Sequence, residues 1–165
     1  SPKQMLLAGL AGCTGIDVVD MLASDGIEMM DVAGKGGTNW AAVEAARRTP
    51  NTTQLYEPFL DMGIDLPDAI HGARQVSDQL FIIASGGIRH GMDASRCLWL
   101  GADIAGIAGR ALRALEDENG TFHEGRLDDY LSDFIQQIKL SLFLTGNQSI
   151  ANFKKMACIC QENSD

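Results

Sequence analysis

The residues best suited to chemistry in this chain lie in three glycine-rich turns. In ASGGIRHGMD, residues 84–93, an apolar run enters Gly86 and Gly87, followed by Arg89, a further glycine and Asp93, an acid suited to capping a helix. Two glycines let backbone amides approach an anion closely, and Arg89 adds a charged fork. Farther on, IAGIAGRAL passes from a strand pattern through Ala108 and Gly109 straight into a helix pattern. The first turn of a helix offers unpaired amides and the positive end of its dipole to phosphate. The third turn, DVAGKGGTNW at 31–40, carries Gly34, Gly36 and Gly37 and the hydroxyl of Thr38. Its Lys35 could meet an anion or remain solvated. Tight packing alone is the competing account of all these glycines, but the two later turns have the order and spacing of the phosphate site that (β/α)8 barrels build after their seventh and eighth strands.

Such turns need strands and helices to deliver them. Four apolar runs, at 5–12, 27–34, 80–87 and 103–109, are strand-length and end in glycine. Helical patterns separate them: 14–26 stops at Gly26, 39–48 opens on the capping Asn39 and ends on Arg47 and Arg48, and 93–101 opens on Asp93. The order βαβαβαβα requires a parallel sheet, since a parallel neighbour is reached only by a long crossover, and it places the glycines at the ligand-binding ends of the strands. A long helix is expected from Leu127 to about Leu144, with Leu127, Tyr130, Leu131, Phe134, Ile135, Ile138 and Leu142 as a packing stripe. Residues 49–66 read as an irregular connection, long enough to be a lid or an insertion.

Composition narrows the function. With 165 residues, 45% hydrophobic and 21% charged, one domain is expected. Twenty-two acidic against 13 basic residues, a net charge of -9, exclude a nucleic-acid backbone as partner, so any anionic ligand must be held by a few local groups. No apolar run reaches the ~18 residues needed to span a bilayer, and SPKQ is no leader, so a cytoplasmic protein without a membrane partner is expected. Cys13, Cys97, Cys158 and Cys160 form no CxxC pair and read as buried or idle thiols; no metal site is expected from them. The first residue is not Met, which suggests a chain trimmed or taken from a longer one.

The segments DVAGKGGTNWAAVE, FLDMGI, ASGGIRHGMDASRCLWLGADIAGIA and LFLTGN resemble the type 2 isopentenyl diphosphate isomerases, over Gly26 to about Lys155. The resemblance implies a (β/α)8 barrel, of which residues 1–165 would form the C-terminal half of one domain: four βα units and C-terminal helices. It implies bound FMN, contacted by Thr38, with Gly87, Ile88 and Arg89 cradling the phosphate and Ala108 and Gly109 supplying further amides. It also implies a 1,3-allylic proton shift between isopentenyl and dimethylallyl diphosphate, with reduced FMN as acid and base, Mg2+ on the diphosphate, NADPH as reductant, and assembly into homo-oligomers.

Two departures stand out. Where the family has a lysine that reaches the flavin, this chain has Ala8 or Gly9, and no segment matches the family's catalytic Gln and Mg2+-binding Glu. Half a barrel would also leave open sheet edges, so the chain is not expected to be stable alone.

Three other readings remain. HGARQ at 71–75 is similar to a pentapeptide of the FMN-dependent 2-hydroxy acid oxidases, in which the His is a catalytic base and the Arg grips a carboxylate. Here, however, LPDAI reads as a helix start, and His71 precedes Gly86 by only 15 positions, half the barrel unit that family would need. A nucleotide-dehydrogenase barrel would need a catalytic cysteine loop, for which Cys13 is the sole candidate. A catalytically empty half-barrel that binds phosphate is the third.

Overall fold

The computed structural model describes residues 25–48 and 53–162 and divides into two compact units, Ser1–Gly87 and Ile88–Asp165. The expected strand at 5–12 and nearly all of the helix at 14–26 lie outside the described residues. So do Cys13 and the side chains of Cys158 and Cys160.

In the first unit, β1 (Met29–Ala33) and β2 (Phe81–Ser85) pair in parallel, from Met29 opposite Phe81 to Ala33 opposite Ser85. Alternation sends Met30, Val32, Ile82 and Ala84 to one face, where all four are buried. The helix α3 (Leu66–Val76) covers that face with Ile70 and Ala73, its start favoured by Pro67 in the first turn. Each large side chain removed from water here contributes about 1.5–3 kcal/mol. The opposite face carries a polar pair: Ser85 Oγ donates to Asp31 Oδ1 at 2.6 Å.

Between β1 and α3 run α1 (Trp40–Arg47), α2 (Thr53–Tyr56) and a 3-10 turn at Glu57–Phe59. Asn39 caps α1 as expected, its Oδ1 accepting from the Ala42 N–H at 2.9 Å. The irregular connection expected at 49–66 is corrected over its described part. Thr53 to Phe59 is helical, and the next residues are tied down: the Leu60 carbonyl accepts from Asn39 Nδ2 and the Ile64 carbonyl from the Lys35 N–H.

The second unit comprises α4 (Gly91–Trp99), β3 (Ile104–Ala105), α5 (Gly109–Leu115), α6 (Glu124–Leu144) and α7 (Ile150–Glu162). Its centre is α4, whose Ala94, Cys97 and Leu98 are buried and which packs against β3, α6 and α7. Lys154 Nζ lies 2.6 Å from Asp103 Oδ1, an ion pair joining α7 to the approach to β3.

Two helix starts differ from expectation. The structure opens α4 at Gly91, capped by His90, whose Nδ1 accepts from the Asp93 N–H at 3.3 Å; Asp93 sits inside the first turn instead. The helix α6 begins at Glu124, three residues before Leu127, because a short turn delivers the chain to it. There the Asp117 carboxylate accepts from the N–H groups of Asn119 and Thr121 and pairs with His123 Nε2 at 2.8 Å. These bonds, led by that from Thr121, hold the Asp117 carboxyl below its usual range. The stripe on α6 is narrower than its spacing predicts: Leu127, Tyr130, Phe134, Ile138 and Leu142 are half-buried, whereas Leu131 and Ile135 are exposed. No helix among the described residues is long and apolar enough to cross a membrane.

Candidate active site

In the first unit, the turns after β1 and β2 meet backbone to backbone. The Gly34 N–H continues the ladder to the Ser85 carbonyl at 2.9 Å, and the Gly37 N–H closes back on the Gly34 carbonyl at 3.0 Å. A Cβ on Gly36 would lie 2.7 Å from Gly87 Cα, and Gly86 and Gly87 have φ of +77° and +96°, where other residues are strained. Packing of the chain on itself therefore explains much of this glycine cluster. Thr38 and Gly87 are at least partly open to solvent. Lys35 is exposed and its Nζ pairs with Asp65 Oδ2 at 3.1 Å, while its N–H donates to the Ile64 carbonyl and Gly63 leaves room for its side chain.

In the second unit, Ile88 is a core residue, 6% exposed, and can offer a ligand only its backbone. The Arg89 N–H donates to Asp93 Oδ2 at 3.1 Å, and the Arg89 carbonyl accepts from the Tyr130 hydroxyl at 2.9 Å. Its guanidinium, 62% exposed with Nε 3.8 Å from Asp93 Oδ2, is the part that faces solvent. Burial raises the pKa of Tyr130, against a weaker lowering by Arg110, so the hydroxyl stays protonated and remains a donor.

Ala108 and Gly109 are exposed where α5 begins, and no side chain caps that end. A Cβ on Gly109 would find Arg113 Nη2, at 3.7 Å, as its nearest neighbour, and the residue does not have a left-handed φ. The space beside Gly109 is therefore open, with room for a ligand to come up to the backbone.

HGARQ lies on a helix, as expected, and its His and Arg are engaged locally. His71 is exposed on α3 and bonded to Gln75 Nε2 at 3.0 Å, while Arg74 Nη1 donates to the carbonyls of Leu80, at 2.6 Å, and Asp78, at 3.3 Å. The arginine closes the turn into β2. No group of three or more His, Cys, Asp or Glu among the described residues could hold a metal ion. Sequence patterns mark Tyr130 only as packing and do not mark Gln137 at all; the hydroxyl inside an apolar stripe is the one available signal for Tyr130.

Comparisons with known proteins bear on family and fold. Residues 63–160 match the family of FMN-dependent dehydrogenases. The chain is 34% identical over 148 residues to an isopentenyl-diphosphate delta-isomerase of Rickettsia bellii (strain RML369-C), covering 89% of this chain and 41% of the relative. It is 33% identical over 139 residues to that of Rickettsia akari (strain Hartford), covering 84% and 39%. The chain thus spans about two fifths of the length of the curated relatives it matches. Among solved structures, inosine 5' monophosphate dehydrogenase from Legionella pneumophila superposes with a TM-score of 0.56 at 18% identity, over 86% of this chain and 51% of that one. A flavocytochrome b2 variant with benzoylformate gives 0.50 at 20%, over 84% and 36%. These likenesses are of fold, a partial (β/α)8 barrel.

Proposed function

Because the chain belongs to the FMN-dependent dehydrogenase family, we propose that it supplies the flavin-phosphate-binding part of an FMN-dependent isopentenyl-diphosphate isomerase, within one (β/α)8 barrel domain. The observation that carries this reading is the 34% identity over 148 residues to the Rickettsia isomerase. Reduced FMN, when bound, supplies the acid and base chemistry of the 1,3-allylic proton shift. The chain's own residues bind and orient. The Thr38 hydroxyl meets the cofactor, Gly87 and Ile88 contribute backbone, the Arg89 guanidinium pairs with the phosphate, and Ala108 and Gly109 bring backbone amides to it.

Mg2+ on the substrate diphosphate, NADPH as reductant, a homo-oligomeric assembly and a cytoplasmic setting complete the proposal. In this proposal Mg2+ is held chiefly by the substrate diphosphate, and the proton-handling role of the family's Gln and Glu falls to groups that no segment of this chain matches. The exposed guanidinium tests the reading. In the intact protein Arg89→Ala removes a charge-assisted hydrogen bond worth about 1.5–3 kcal/mol, so FMN affinity should fall roughly 10- to 150-fold by fluorescence titration. An unchanged affinity refutes it.

A further inference from the structure

The turn that carries Arg89 is held from behind by polar groups of α6. Besides the Tyr130 hydroxyl on the Arg89 carbonyl, at 2.9 Å, Gln137 Oε1 accepts from the Gly91 N–H at 2.7 Å. Tyr130 and Gln137 are seven residues apart, two helical turns on one side of α6. Gly91 lets the two backbones approach: a Cβ there would overlap the Phe134 carbonyl oxygen and lie 2.8 Å from Gln137 Cβ. From α4, Asp93 takes the Arg89 N–H. Arg89 is thus gripped at both its N–H and its carbonyl, and only its guanidinium is left to reach outward.

We infer that Tyr130 and Gln137 are positioning residues for the anion turn: they fix the backbone from Arg89 to Gly91 so that the Arg89 guanidinium is aimed at the phosphate of FMN. This rests on the reading that Arg89 binds that phosphate. Neither side chain touches the ligand. The Gly91 N–H, an unpaired donor at a helix start, needs some partner; what is particular here is that two polar groups of α6 both meet the backbone of one three-residue stretch.

The test titrates the intact protein with FMN and with riboflavin, which lacks the phosphate. Each lost hydrogen bond, at about 1 kcal/mol, should weaken FMN roughly fivefold in Tyr130→Phe and in Gln137→Leu, with riboflavin unchanged. Gln137→Glu keeps an acceptor and should restore FMN affinity. Amide exchange at Gly91, measured without flavin, should quicken in Gln137→Leu and not in Gln137→Glu. If Arg89→Ala weakens FMN selectively while Tyr130→Phe and Gln137→Leu leave the FMN-to-riboflavin ratio unchanged, the positioning role is overturned and the phosphate reading stands. If Arg89→Ala itself leaves FMN affinity unchanged, both fall.

Discussion

Replacing Gly109 with alanine should make the protein more stable and a worse flavin binder. Outside its chain neighbours and its own helix backbone, the added Cβ would lie no closer than 3.7 Å to any described atom, an ordinary van der Waals contact, and Gly109 needs no left-handed φ. The folded state therefore accepts the methyl without strain. Alanine also restricts the unfolded chain, a gain of about 0.4–1 kcal/mol that raises the Tm of the intact protein. A phosphate oxygen held by amides at the start of α5 would have to share that space with the methyl. Losing one such charge-assisted bond costs about 1.5–3 kcal/mol, a roughly 10- to 150-fold rise in Kd. Calorimetry of the flavin-free protein and fluorescence titration with FMN read the two effects separately. A raised Tm with unchanged FMN affinity would mean that no phosphate approaches Gly109, and a lowered Tm would mean that the space beside it is not open.

The same geometry sets three further expectations. His71→Ala should leave the proposed isomerase turnover of the intact protein within about threefold of the parent, since removing one exposed hydrogen bond to Gln75 is nearly neutral; a hundredfold loss would revive the oxidase reading. Gly36→Ala puts a carbon 2.7 Å from Gly87 Cα, where carbon pairs prefer about 3.5–4.0 Å, and should cost about 1–3 kcal/mol in denaturant unfolding; an unshifted midpoint would contradict the crossing of the two turns. Burial, with a smaller push from Asp93, raises the Cys97 thiol to about 11. The folded pKa then exceeds that of the unfolded thiol, so this group's contribution to stability is intact below about pH 9 and declines as pH rises toward 11. At pH 8 iodoacetamide should modify Cys97 only as fast as the protein unfolds, and peptide mass spectrometry showing prompt labelling of folded protein would disprove its burial.

The features legible in the sequence are those decided by neighbouring residues. Apolar runs closed by glycine locate β1 and β2, Asn39 marks the start of α1, and Pro67 marks that of α3, because capping and φ restriction act within one turn. What escaped depends on groups brought together from afar. Lys35 and Asp65 stand 30 positions apart, and Tyr130 meets Arg89 across 41, so neither contact leaves a local pattern. Asp93 and His90 could each cap α4, and which one does so depends on where the backbone turns, not on residue type alone. Spacing on α6 likewise shows where its packed face is centred but not how wide that face is, so Leu131 and Ile135 carry core spacing and are nonetheless exposed. At the candidate site, the glycines announced close backbone approach. Only the distances separate those the chain needs for itself, such as Gly36, from Gly109, which it does not.

The bond between Ser85 and Asp31 also acts as a check on how the two strands can be assembled. If β1 slid by one residue against β2, its pleat would turn Asp31 toward α3 and Met30 away from it, and a carboxylate would enter the apolar layer of Ile70, Ile82 and Ala84. If it slid by two toward the start of β2, Asp31 would keep its face but stand opposite Phe81, roughly 6.6 Å farther along the strand from Ser85 Oγ and out of its reach. Both mistakes leave a charge without its partner. One serine and one aspartate thereby reject misaligned pairings that apolar residues alone would tolerate, and they do so at the last residue of β2, directly before Gly86.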